Sequence, residues 1–397
     1  MMRETDDASC SRFRRLVSCL PVGLLGMLGL VMAVEGFIAR HDLDFANSWA
    51  LSWRQSGWAA QHRAPACDVL CFGDSLVKCG VLPRVLEQRV GKPAYNLALP
   101  GCPAPISYFL LRRSLQAGAR PSAIVVDFIP YLLAPDAWHP SGLRLDGATL
   151  WECFDLARAT RDPDLFTLNM IRRALPSLRA RFEIRDAIVG MVKGQEKNTR
   201  GNLLIFLRNW QMNEGAHVVS REPLERPAPN DLLALLWKDE PILFPDSWQI
   251  DPLNDQYVRR FIALAGAHNI PVYWLLPPMR RGVQDLREQK GTELAYIHFV
   301  LAKRKQFPNL RVIDARCSSY LDDAFADTMH LDPGSAAMMT NDLADVLLRQ
   351  REIRAAPGTM LSWVSLPMYH EQPPTVPVED MNQSRIAVRL RAGGRLQ

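Results

Sequence analysis

At 397 residues, with 48% apolar and 22% charged side chains, the chain has the composition of a globular protein able to bury a sizeable core. That balance excludes a largely disordered chain and a polytopic membrane protein. The formal net charge of +5 is modest, and no basic stripe interleaved with aromatics appears, so nothing specific points to nucleic acid.

Arg12, Arg14 and Arg15 precede an uncharged run from Leu16 to Val34. That run of about 19 residues nearly spans a bilayer core of about 30 Å. Arginines before it and Glu35 after it predict a cytoplasmic arm over 1–15 and a transmembrane signal anchor over 16–38. The rest would then face the periplasm or cell exterior. A cleaved signal peptide competes, with Val31-Met32-Ala33 as its cleavage site, although the run exceeds an ordinary signal core. A buried core helix is the blander alternative. Leu16-Val17-Ser18-Cys19 resembles a lipoprotein box but precedes the apolar run instead of following it.

Residues 39–66 read as a juxtamembrane helix, with Trp49, Trp53 and Trp58 either at the membrane interface or packed on the domain. Over 67–352 strands and helices then alternate. Val69–Phe72, Ala94–Ala98, Ala123–Phe128, Pro271–Leu276 and Leu310–Asp314 are predicted strands, and continuous apolar runs are what a sheet buried on both faces requires. Helical spacing covers Leu82–Val90, Ser107–Ala117, Tyr257–His268 and Pro333–Arg349. This pattern predicts an α/β fold with a parallel five-stranded sheet. Between the third and fourth strands, residues 134–255 read as an inserted helical cap, with helices over Asp164–Val192, Leu203–Asn213 and Asp231–Trp237. The proline-rich stretch over 353–397 is expected to be disordered.

The eight cysteines show no metal or redox spacing, so no metal is expected. Export would permit a disulfide, with Cys79 and Cys102 as the candidate pair; the alternative is that all are small buried hydrophobes.

Gly73-Asp74-Ser75-Leu76 lies where the first strand hands over to a helix. A serine there sits at the carboxyl ends of the strands, where α/β sheets bind ligands, with its own amide at a helix N-terminus. Asp327-Thr328-Met329-His330 precedes the last helix. Serine chemistry needs a base within hydrogen-bond reach and a partner to orient that base, and Asp327 and His330 on one turn supply both.

The order Gly73-Asp74-Ser75-Leu76, then Asn96 and Gly101, then Asp327-x-x-His330 resembles the SGNH/GDSL hydrolase superfamily of esterases, lipases and O-acyltransferases. The resemblance implies a flavodoxin-like three-layer sandwich and no cofactor. It makes Ser75 the nucleophile, His330 the general base and Asp327 its orienting acid. The amides of Ser75 and Gly101 would form the oxyanion hole, with Asp74 and Asn96 in supporting roles. The family's Gly-x-Asn-Asp block after the third strand is absent, and Tyr131 stands where its asparagine would. Either its phenol donates instead, or it packs against the cap. Asp127, at the end of that strand, either braces the loop or joins the site.

The expectation is an exported, membrane-anchored hydrolase or O-acyltransferase acting on an ester, such as an O-acylated envelope glycan. Protein partners are undefined by the sequence. A catalytically weakened binding or assembly protein is the alternative: the absent asparagine favours it, and the intact Ser75, Asp327 and His330 oppose it.

Overall fold

A computed structural model describes residues 22–135, 145, 147–194, 199–219, 245, 247–355, 362–370 and 377–393. Two compact units divide the chain: Met1–Ala46 with Met170–Arg200, and Asn47–Asn169 with Gly201–Gln397.

Helix α1 (Val22–Arg40) is followed by α2 (Ser48–His62), whose first turn is capped by the Asn47 side chain accepting from the Ala50 amide at 2.8 Å. Strand β1 (Val69–Phe72) runs into α3 (Ser75–Gly80). Then come α4 (Pro83–Val90), β2 (Ala94–Asn96), α5 (Ala104–Gln116) and β3 (Ala123–Val126). After β3 comes α6 (Pro130–Leu133), and the insertion contains α7 (Leu150–Thr160), α8 (Pro163–Ala174), α9 (Pro176–Arg179), α10 (Arg181–Val192) and α11 (Thr199–Met212). The chain returns through α12 (Pro252–Ala267), β4 (Val272–Leu276), α13 (Arg281–Gln289), α14 (Thr292–Gln306) and β5 (Leu310–Asp314). Helix α15 (Pro333–Ala355), β6 (Trp363–Ser365) and α16 (Met381–Gly393) follow.

The sheet order is β2-β1-β3-β4-β5-β6, and every pairing is parallel. Alternate side chains serve two cores. Val69, Cys71, Val125, Tyr273, Leu275 and Ile313 pack with Val85 and Leu86 of α4 and Leu343 of α15. On the other face Phe72 meets Phe261 of α12 edge-on at 5.4 Å, and Phe128 meets Trp274 at 5.0 Å. Helices therefore cover both faces, which is why β1, β3 and β4 are buried throughout.

The sheet has six strands, not the expected five. β6 pairs with β5 (Val312↔Trp363, Ile313↔Val364), inside the stretch expected to be disordered. Prolines signalled disorder there, but a three-residue edge strand needs little sequence between them. Downstream, Arg208 clasps Glu379 with bonds of 2.6 and 2.8 Å, and α16 follows. The helix pattern over Asp164–Val192 is interrupted at Pro176, giving α8, α9 and α10. The expected helix over Asp231–Trp237 lies outside the described residues.

In the smaller unit α1 is long and apolar enough to cross a membrane. The expected arm over 1–15 and the start of the expected anchor lie outside the described residues. Glu35 of α1 accepts from the Ser177 amide at 2.8 Å and from its hydroxyl, and Asp42 pairs with Arg179 at 2.6 Å. Residues 170–200, expected as part of the cap, thus group with α1.

In the larger unit Trp53 is fully buried and the Trp49 indole donates to the Pro100 carbonyl at 2.8 Å; Trp58 is half exposed. Cys79 and Cys102 are separate buried thiols, so the candidate disulfide is not formed. Both fill space as small hydrophobes.

Candidate functional site

Gly73 turns the chain out of β1 with φ +122, and a Cβ there would lie 1.7 Å from Oδ1 of Asp127. Only glycine fits that turn. The same Oδ1 accepts from the Asp74 amide at 2.8 Å, while Asp74 caps α3 by accepting from the Leu76 amide at 2.7 Å. Ser75 is therefore the first residue of α3, at the carboxyl end of β1. This strand lies between β2 and β3, where the chain's direction of winding reverses and a crevice opens.

Asn96, fully buried, donates to the carbonyls of Val77 and Val81, both at 2.9 Å, and accepts from the Ala98 amide at 3.0 Å. It ties α3 to the loop after β2. That loop is fixed further by the Leu99 amide on the Gly73 carbonyl (3.0 Å), and it carries exposed Gly101 at φ +59.

The histidine arrives from β5. An isolated bridge between Phe325 and Leu331 closes a tight loop, and Asp327 Oδ1 accepts the amides of Met329 (2.9 Å) and His330 (2.8 Å). Its Oδ2 holds His330 Nδ1 at 2.7 Å. A proton on Nδ1 facing the carboxylate leaves the lone pair on Nε2. Nε2 is buried and has no hydrogen-bond partner among the described residues. Helix α15 is docked behind, the Leu82 amide donating to Thr340 Oγ1 at 3.0 Å.

The neighbours of the two key residues pack together: Leu76 and Met329 share one apolar cluster with Ile129, Tyr131, Leu132 and Met279. The site residues Ser75, Asp74, Asn96, Gly101, Asp127 and Tyr131 thus occupy the carboxyl ends of β1 to β3 and the segments that follow, and Asp327 and His330 approach from the loop after β5.

Burial lowers the pKa of His330, but the bond and charge of Asp327, with the charge of Asp74, outweigh it and leave His330 above its usual value. Burial works to raise Asp327, yet its bonds to His330 and the two amides hold it below the carboxylate range. Asp74 and Asp127 are both pushed up by burial, Asp127 well above its usual value because Asp74 lies beside it. Burial, then the charges of Asp74 and Asp127, keep the Tyr131 phenol protonated.

Beside the pair runs an apolar cleft lined by Ile129, Pro130, Tyr131, Met279, Val283, Arg287 and Met329. Arg287 is buried and paired with Glu293 at 2.6 Å, while its Nε has no hydrogen-bond partner among the described residues. Other arginines are engaged by carboxylates: Arg113 by Glu152, Arg112 by Asp155 (3.5 Å) and Arg280 by Asp322 (3.1 Å).

Two residues behind the site had escaped sequence reasoning. Lys78 of α3 is buried, donates to the carbonyls of Ala98 and Gly215 at 3.0 Å each, and lies 4.8 Å over Trp210. Burial pulls its pKa down to about 8. Its one signal was a lysine on an otherwise apolar helix. His217 accepts from Trp210 Nε1 at 3.3 Å through its Nδ1. Burial, with Lys78 and His330 nearby, lowers its pKa to about 3, so it is neutral. No local pattern marks it.

Comparison with known proteins gives no matching family model and no significant curated relative.

Proposed function

We propose that the chain is a membrane-anchored, serine-dependent ester hydrolase or O-acyltransferase of the SGNH type, acting outside the cytoplasm on O-acyl groups of an envelope glycan. The observation that carries this reading is the Asp327–His330 pair, with a buried lone-pair nitrogen that has no partner among the described residues, beside the strand-end crevice that holds Ser75. The strand order and the helices on both faces support a flavodoxin-like sandwich with the site at its switch point.

In the proposed reaction Ser75 Oγ bonds to the ester carbonyl carbon while its proton passes to His330 Nε2. Asp327 stabilises the imidazolium. The oxyanion is held by the amides of Ser75 and Gly101 and by the Tyr131 hydroxyl, whose surroundings keep it protonated and able to donate. Collapse breaks the C–O bond, and the leaving alcohol takes the proton from His330. Water or a sugar hydroxyl, deprotonated by the same nitrogen, then releases the acyl group. The apolar cleft beside Met329 suits the acyl chain.

The second reading, an assembly protein with lost catalysis, is favoured by the absent Asn donor and by the absence, among the described residues, of a hydrogen bond from Ser75 to His330 Nε2. A fluorophosphonate probe on the full-length protein separates them. Labelling abolished in Ser75→Ala and strongly reduced in His330→Ala supports the enzyme; an unlabelled folded wild type supports the binding protein.

A further inference from the structure

We infer that α9 and α10 form a second membrane contact, lying in the lipid–water interface beside α1, with an apolar tip among the acyl chains and arginines on anionic headgroups. This rests on reading α1 as a membrane span.

No residue of α10 is buried. An isolated 12-residue helix is marginal in water, so something must cover it. Its second half, Ala187-Ile188-Val189-Gly190-Met191-Val192, is uncharged, and Ile188, Met191 and Val192 are 54%, 63% and 84% exposed. Arg181 and Arg185 flank exposed Phe182, 4.6 and 5.7 Å from its ring. Both distances are from the guanidinium carbon, so the cations and the exposed ring form one amphipathic patch of the kind that sits at a headgroup layer. Over residues 170–194 six basic side chains face two acidic ones, Glu183 and Asp186, which favours an anionic surface.

The occupant is argued from continuity with the anchor. Glu35, near the end of α1, is satisfied by Ser177 of α9, and Asp42 just beyond α1 holds Arg179. A carboxylate within a spanning helix needs such a partner. The two bonds set α9 at the level where α1 leaves the bilayer, and α10 starts two residues after Arg179.

The test places a benzophenone amino acid at Val192, at Val31 of α1, or at exposed Asp323, one at a time, in the full-length protein. Each is reconstituted in bilayers of phosphatidylcholine with clickable phosphatidylglycerol and irradiated. Val31 and Val192 should both capture lipid, and Asp323 should not. Replacing the anionic lipid by clickable phosphatidylcholine alone should lower capture at Val192 at least about threefold and leave Val31 unchanged. Capture at Val31 with none at Val192, or capture of a second copy of the chain at Val192, overturns the inference while leaving the anchor intact. Failure at both positions overturns the anchor as well.

Discussion

Asp127 accepts the backbone amide of Asp74 at 2.8 Å, which places two carboxyl groups in one buried space directly beneath Ser75. The contact fixes the turn that presents the serine, and it requires glycine at position 73. Burial, with Asp74 alongside, raises the pKa of Asp127 well above its usual value.

That shift has a consequence for stability. In the unfolded chain Asp127 ionises near pH ~4, whereas in the folded protein burial and Asp74 raise its pKa well above that. The folded state then binds more protons, so stability falls as pH rises above about 4. Asp127→Asn keeps the acceptor for the Asp74 amide and cannot ionise. Thermal unfolding followed by circular dichroism should give a higher Tm for the variant at pH 8, the gap closing toward pH 4. Parallel curves for the two proteins would contradict the raised pKa of Asp127.

His330 must be neutral to take a proton, and Asp327 holds its pKa above the usual histidine value. Ester hydrolysis should therefore rise with pH to an inflection above about 6.5. Asp327→Asn should move that inflection to lower pH, because the stabilising charge is gone. It should also lower the plateau by about 10²–10⁴-fold through loss of the oriented tautomer. An unshifted profile would remove Asp327 from its orienting role.

Asn96→Ala strands the Val81 carbonyl and the Ala98 amide, and it takes one of two donors from the Val77 carbonyl, which keeps the Val81 amide at 3.0 Å. Each unsatisfied group costs about 1–3 kcal/mol, so a loss of about 2–4 kcal/mol in urea unfolding is expected after relaxation. Turnover should fall in the folded fraction, since α3 and the Gly101 loop lose their tie. A cost below about 1 kcal/mol would show that the tie is dispensable.

The cleft makes a prediction about chain length. Val283→Phe fills space lined by Met279 and Met329. Acetyl ester turnover should stay within about twofold, while kcat/KM for a hexanoyl ester should fall about tenfold or more, each excluded methylene being worth about 0.8 kcal/mol. Equal effects on both esters would move the acyl chain elsewhere.

The local parts of the site were legible because they are local. Gly73-Asp74-Ser75 follows a strand, and Asp327 reaches His330 across three residues, so both pieces are visible as motifs. The parallel sheet followed from apolar runs such as Ala123–Val126. What escaped is assembled by distant chain. His217 and Gly215 meet Lys78 from the far end of α11, and Val283 and Arg287 reach the cleft from beyond β4. Glu35 finds Ser177 at a separation of 142 residues, which no window on the sequence reveals. β6 was hidden for another reason: three residues among prolines carry too little periodicity to register.

The most direct measurement is to trap the acyl-enzyme. Full-length protein mixed with p-nitrophenyl acetate and quenched within the first turnover should release a burst of nitrophenol. Peptide mass spectrometry should then find one acetyl group on the Ser75 hydroxyl, absent from Ser75→Ala. An acetyl group on any other side chain, or steady nitrophenol release with Ser75 unmodified, would contradict the proposed chemistry.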